Sequence, residues 1–260
     1  MPSQNCLNAS QPNHWRLALS ALRWRMPTQC LLCDQWCRDV LCPPCLQQQR
    51  PPTERCPRCA LAGGSFVCQG CQQHPPPWQQ CMAGVSYTPA WRRLILDCKF
   101  HGNPALCAYF SSVLQQQPAL CALIHASDFL LPVPLAAGRL KERGFNPSLL
   151  MAQALCPTKC APNALWRLRE TAPQSGLNRS QRQTNLTHAF ALNPSWAKQL
   201  KEKTLVLVDD VMTTGQTLMA CAQALQLASP QAIHAVVFAR AQSWAPTTPP
   251  PHVQPCPLPT

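Results

Sequence analysis

The sequence predicts an α/β protein in two parts: a small cysteine-rich module, then a domain built on an open parallel sheet. Three observations carry that reading. Nine of the 18 cysteines lie between Cys30 and Cys71, and the later chain has ordinary α/β composition. Two short apolar runs, 128–134 and 205–208, have the character of strands buried on both faces. Each leads through a glycine-containing loop into a helix-like run, 147–155 and 218–227, the order expected beside a parallel sheet.

Composition narrows the function classes. The 260 residues hold 22 basic and 10 acidic side chains, a formal net charge of +12, which favours an anionic partner such as nucleic acid, nucleotide or phosphate. There is no run of 18 apolar residues, so no membrane span is expected. Arg16, Arg23 and Arg25 interrupt the apolar residues of the N-terminus, which argues against a secretion signal and for a cytoplasmic protein. In that compartment, cysteines in CxxC pairs point to metal rather than disulfides.

Residues 1–29 form an N-terminal segment. His14 to Met26 suits a short basic helix with Trp15, Leu19 and Leu22 on one face. Residues 30–71 contain four CxxC pairs: Cys30/Cys33, Cys42/Cys45, Cys56/Cys59 and Cys68/Cys71. Eight residues separate the first pair from the second, and eight separate the third from the fourth. A CxxC turn aims two thiolates at one point, and a second pair completes a tetrahedral site. The equal gaps favour two sequential zinc ribbons, while an interleaved pairing uses the same residues. Four thiolates leave no open coordination position, so both zinc ions are structural, and a module this small needs them in order to fold. An iron–sulfur cluster or disulfides are the competing uses of these cysteines. Cys37 is a spare inside the first ribbon.

Residues 72–80, with three prolines and His74, read as a stiff linker, and 81–240 as the main domain. Within it Met82–Tyr87 reads as a strand. Pro89–Cys98 reads as a helix whose Trp91, Leu94, Ile95 and Cys98 share a face, and 104–125 as another helix. Lys99, at the end of the first, is placed to reach a diphosphate. Residues 128–134 form a strand, and the loop after it carries Arg139, Lys141 and Arg143 between Gly138 and Gly144. A cationic loop at the carboxyl edge of a parallel sheet suits a diphosphate, and the arginine fork matches phosphate oxygens. Trp166 to Phe190 is polar and aperiodic and reads as a flexible flap rich in arginine. Ile233–Phe238 is the last strand, followed by Arg240, and 241–260 is a proline-rich tail.

The most informative stretch is Leu205 to Thr217. A buried strand, Leu205–Val208, ends in two adjacent carboxylates, Asp209 and Asp210. Thr213, Thr214, Gly215 and Thr217 follow, and then a helix. A turn that opens a helix presents free N–H groups and the positive end of the helix dipole, which suits phosphate. Gly215 lets the backbone come close, and the threonines add hydroxyl donors. Carboxylates beside a phosphate make sense as acceptors for sugar hydroxyls or as neighbours of magnesium. The expected ligand is a phosphorylated sugar, its phosphate on the turn and its ribose diol on the acids. No Walker loop occurs.

These thirteen positions resemble the phosphoribosyl-pyrophosphate motif of type I phosphoribosyltransferases. The order of the other segments adds to the resemblance. A double zinc ribbon precedes Pro132-Val133-Pro134 and Arg143-Gly144-Phe145-Asn146. Then come Thr171-Ala172-Pro173-Gln174, Arg182-Gln183-Thr184-Asn185 and Ala189-Phe190. Together they resemble the ComF family, GntX-like proteins included, over residues 30–240. The resemblance implies a phosphoribosyltransferase-type domain that binds phosphoribosyl pyrophosphate or a related nucleotide with Mg2+. It also implies a role in natural competence or use of external DNA, with single-stranded DNA and a DNA-uptake helicase as partners. Two functions stay open. One is an accessory protein for imported DNA. The other is an active phosphoribosyltransferase for a nucleobase or similar acceptor in nucleotide salvage. In the latter, Asp209 and Asp210 would be catalytic, fixing the ribose and stabilising charge at the anomeric carbon, and His101 or His188 would be the candidate base.

Overall fold

The computed structural model describes residues 27–168 and 189–242, which divide into two compact units, 27–48 and 49–242. In the first unit, β1 (Thr28–Gln29) pairs antiparallel with β2 (Trp36–Cys37), and α1 (Pro43–Gln49) follows. Its interior is Cys30, Leu41, Cys42 and Cys45, too little apolar surface to hold a fold without a metal.

The second unit opens with the other four paired cysteines and α2 (Gln69–Gln73). The segment 72–80, read as linker, runs inside this unit: Trp78 is only 2% exposed, and Gln79 exchanges two hydrogen bonds with Ile233. Four strands then form the central sheet: β3 (Gln80–Ser86), β4 (Phe129–Pro132), β7 (Thr204–Met212) and β8 (Ala232–Arg240). Their order is β3-β8-β7-β4 and every pair is parallel. Val206, Leu207, Val208, Ala235, Val236 and Val237 have no exposed surface, as expected of strands covered on both faces.

On one face pack α3 (Pro89–Phe100), α4 (Ala105–Gln115), α5 (Pro118–Ala126) and α7 (Pro147–Leu155). Helix α3 starts where the Thr88 hydroxyl accepts from Trp91 N–H and Pro89 sits in the first turn. Its Trp91, Leu94, Ile95 and Cys98 are buried as the spacing requires. Trp91 meets Phe238 edge-on at 5.2 Å, and Phe238 stacks on Phe110 at 4.1 Å. The single helix expected over 104–125 is two. Pro118 lacks an N–H and forces Gln117 to an extended ψ of 110°, so the chain breaks there.

The cationic segment expected as a loop is helical over α6 (Ala137–Arg143). It stops at Gly144, whose left-handed φ of 81° closes the last turn onto the Leu140 carbonyl. Asn146 then starts α7, accepting from Ser148 N–H and donating to the Val133 carbonyl, which ties the helix to the end of β4. The other face carries α9 (Gln216–Gln226) and an antiparallel pair, β5 (Leu165–Arg167) with β6 (Phe190–Leu192). The ends of the expected flap are therefore strands. Its centre, with Thr171, Gln174, Arg182, Asn185 and His188, lies outside the described residues, as do the expected helix over 14–26 and the tail from 243. A short α8 (Ala197–Leu200) leads into β7. Among the described residues no helix is long and apolar enough to cross a membrane.

Candidate functional site

The acid pair does not follow the β7 strand, as the sequence suggested, but lies within it. On one side β7 stays in register with β8 to its end, Asp209 opposite Val237 and Met212 opposite Arg240. On the other side β4 stops at Pro132, opposite Val208. Beyond that point the two acids have no strand neighbour on the β4 side.

Successive strand residues point to opposite faces, and the two acids do so. Asp210 is 8% exposed and faces α3, where the Lys99 ammonium lies 2.7 Å from its carboxylate. Lys99 thus meets an acid rather than waiting free for a diphosphate. Asp209 faces the α9 side. Its Oδ1 accepts from the Ser148 hydroxyl and from Asp210 N–H, both at 2.9 Å. Burial, and then the charge of Asp210, still push the Asp209 carboxyl up to about 7. Burial, followed by the Asp209 charge, also raises the Cys221 thiol on α9.

The turn has the form expected of a phosphate loop. Gly215 takes φ 79°, ψ 0° as the residue before α9, a conformation costly for any side chain. Thr213 and Thr214 are exposed, and Thr217 is half-buried in the first helical turn. With Asp209, Val211 and Gln216 they line a hollow of about 20 Å³. The free N–H groups of the helix start point into a place suited to an anion.

The cations are less gathered. Arg139 and Lys141 are exposed on α6, and only Arg143 turns inward, its guanidinium 5.4 Å from the ring of Phe100, next to Lys99. Its Nε is buried and, among the described residues, has no hydrogen-bond partner. His101 is exposed, bound at 3.2 Å to Asp97 of its own helix. A groove of about 730 Å³ starts at Asn146, two residues from Ser148, and is lined by Leu140, Phe145, Leu149, Trp166 and Leu168. Sequence reasoning missed Ser148; the Asn146-Pro147 helix start was the signal for it.

The eight paired cysteines form two clusters, Cys30/Cys33/Cys42/Cys45 and Cys56/Cys59/Cys68/Cys71, the sequential pairing. Within each, the four sulfurs lie within 4.8 Å of one another, and Cys33–Cys42 and Cys59–Cys68 are 3.6 Å apart. A tetrahedral zinc with bonds of about 2.3 Å spaces its sulfurs at about 3.8 Å, so both sets fit zinc. Backbone N–H groups support the thiolates: Cys42 N–H points at Cys30 Sγ and Cys68 N–H at Cys56 Sγ. Burial pushes Cys30 and Cys56 up, but these and neighbouring N–H groups outweigh it and bring both to about 7.

Residues 151–249 match the phosphoribosyl transferase domain family. Over 219 residues the chain is 33% identical to the DNA utilization protein YhgH of Salmonella typhi, covering 80% of this chain and 92% of that one. It is 27% identical over 215 residues to competence protein F of Haemophilus influenzae, covering 78% and 92%. It is 28% identical over 214 residues to competence protein ComFC of Streptococcus pneumoniae, covering 73% and 90%.

Proposed function

The chain belongs to the ComF/YhgH family of DNA-utilisation and competence proteins and carries a phosphoribosyltransferase domain, and from that premise we propose that its β7–α9 site binds phosphoribosyl pyrophosphate in the service of DNA utilisation. The observation that carries the reading is the acid pair just past the end of β4, followed by a left-handed glycine that opens a helix. The 5′-phosphate takes the helix N–H groups and the hydroxyls of Thr213, Thr214 and Thr217. A ribose hydroxyl donates to Asp209, which lines the hollow beside the turn, while Asp210 on the opposite face holds Lys99. Arg143 lies on the side from which a diphosphate approaches, and Arg139 and Lys141 add positive field from the surface of α6.

Magnesium fits this site in one mode. The two carboxylates face opposite sides of the sheet, so they do not chelate one ion together. Mg2+ keeps waters and takes phosphate oxygens with one or two carboxylates, and here the diphosphate would bring it. Bound so, it would neutralise the leaving diphosphate. The chain's own part is to hold the ribose on Asp209 and to set Lys99 against Asp210.

The DNA side of the proposal rests on the family and on the net charge of +12. Each ribbon also exposes one aromatic ring suited to base stacking, Trp36 at 71% and Phe66 at 67%. Single-stranded DNA is the proposed partner, with a DNA-uptake helicase acting beside it. A second reading, transfer of the phosphoribosyl group to an acceptor, is favoured by the groove at Asn146. Its apolar wall and half-exposed Trp166 suit a planar base.

Ribose 5-phosphate and diphosphate, titrated separately, test the ligand assignment. Each is expected to bind and to compete with phosphoribosyl pyrophosphate, and Thr213→Val/Thr214→Val is expected to weaken ribose 5-phosphate selectively. Failure of both fragments to compete sinks the assignment. DNA binding is tested by salt titration: the logarithm of the binding constant is expected to fall linearly with log salt, and Trp36→Ala and Phe66→Ala to weaken binding. No binding at low salt removes the DNA claim.

A further inference from the structure

The second cysteine cluster is joined to the back of the phosphate loop. Its first knuckle is Cys56-Pro57-Arg58-Cys59, and successive carbonyls from this knuckle accept hydrogen bonds from the sheet domain. Pro57 accepts from Cys81 N–H at 2.9 Å, Arg58 from the Trp78 indole at 2.6 Å and Cys59 from Arg240 Nε at 2.8 Å. Arg55 donates to the next carbonyl, Ala60, at 3.0 Å and to Ser86 at the end of β3.

The same groups reach the loop. Arg240 also donates through Nη1 to the carbonyls of Met212, Thr213 and Ala241. It is 8% exposed, and among the described residues no carboxylate pairs with it. Its charge is held by carbonyls alone, directly behind the turn that faces an anion. A Cβ placed on Gly215 would stand 3.8 Å from the far edge of the Trp78 ring, so that ring lies against the turn. The Met212 sulfur is 3.8 Å from the Cys81 thiol. Arg240, Trp78 and Cys81 therefore each touch the knuckle on one side and the loop on the other. The first cluster belongs to the other compact unit.

We propose that the two metal clusters are unequal: the second is the rear support of the phosphate loop, and Arg240 is the positioning residue between them. A metal-held knuckle fixes its carbonyl directions. Those directions fix the Arg240 guanidinium and the Trp78 ring, and these set the path of residues 212–215. The ligand consequence rests on the phosphoribosyl-pyrophosphate reading: metal at the second cluster raises affinity for that ligand. By linkage, the ligand raises retention of that metal by the same factor.

Amide exchange of the zinc-loaded full chain tests the support, with peptides over 211–219 as reporter and over 105–115 as fold reference. Cys56→Ser/Cys59→Ser, Arg240→Gln and Trp78→Phe are expected to speed exchange in the reporter about tenfold, and Cys30→Ser/Cys33→Ser to leave it unchanged. Arg240→Lys is expected to recover part of the protection, since an ammonium still donates to loop carbonyls. If the Cys56→Ser/Cys59→Ser variant loses the reference protection, Arg240→Gln and Trp78→Phe decide, since both keep every cysteine. Phosphoribosyl-pyrophosphate affinity is expected to drop about tenfold or more in Arg240→Gln, the loss of one charge-assisted hydrogen bond. The ligand is also expected to slow removal of one zinc of two by a chelator. Unchanged reporter exchange in both Arg240→Gln and Trp78→Phe overturns the inference, as does an equal effect from the first cluster. A reporter that responds in a protein that binds no phosphoribosyl pyrophosphate upholds the support and removes the ligand reading. A ligand that binds beside an indifferent reporter does the reverse.

Discussion

Gly215→Ala is the sharpest perturbation of the loop, because two separate costs can be worked from its surroundings. The backbone there is left-handed, φ 79°, and an L-residue in that region costs roughly 1–2 kcal/mol. The new Cβ would also stand 2.6 Å from Met212 Cε, so that methyl group must move. It is the free end of a flexible side chain, but Met212 is 4% exposed and backed by Cys81. Displacement belongs at the low end of overpacking costs, about 1 kcal/mol. The alanine also removes freedom from the unfolded chain, which offsets about 0.5–1 kcal/mol. The net expectation is a loss of about 2 kcal/mol, read as a lower urea midpoint at unchanged slope in the zinc-loaded protein. Gly215→Asn is expected to lose less, since asparagine tolerates the left-handed region but keeps the Met212 overlap. Adding Met212→Ala to Gly215→Ala should not cost the full price of a buried methionine. An unchanged midpoint for Gly215→Ala would show that the turn does not need its glycine.

Three further outcomes are expected. Asp209 is raised to about 7 in the folded protein from about 3.9 unfolded, so its ionisation opposes folding, and the stability it contributes is lost as pH rises toward and through 7. The melting-temperature advantage of Asp209→Asn over wild type should therefore grow from pH 5.5 to pH 8, and a constant difference would contradict the raised carboxyl. Lys99→Met leaves the Asp210 carboxylate buried and unpaired, side chains of 19% and 12% exposure in the wild type, and should cost about 3 kcal/mol in urea unfolding. Lys99→Met/Asp210→Asn should recover most of it, and no recovery would mean that the pair is not the cause. Elemental analysis should find two zinc ions per chain, one after Cys30→Ser/Cys33→Ser; a count of one in the wild type would rule out the paired ribbons.

Local patterns were legible where the chemistry is local. The equal CxxC gaps specified both clusters, and the apolar run before Asp209 specified a doubly covered strand. The Asn146-Pro147 start and the Pro89 start placed α7 and α3. What sequence did not reveal depends on neighbours. The acids lie inside β7 because β8 runs alongside to Arg240 while β4 stops at Pro132. Residues 137–143 read as a loop because four charged positions hid a two-turn helix that Gly144 terminates. Trp78 looked like part of a linker because three prolines precede it, yet the knuckle carbonyl of Arg58 and the back of the loop bury it. Arg240 looked like an unremarkable residue after a strand. Its role rests on carbonyls from two distant segments, at Cys59 and at Met212-Thr213, which no spacing in the sequence records.

The most direct measurement is calorimetric titration of phosphoribosyl pyrophosphate, with magnesium, into the zinc-loaded protein and into Asp209→Ala/Asp210→Ala. Saturable one-site binding by the wild type, lost in the double variant while its two zinc ions remain, is the expected result. No heat from the wild type, or equal binding by both proteins, would contradict the assignment of the β7–α9 site.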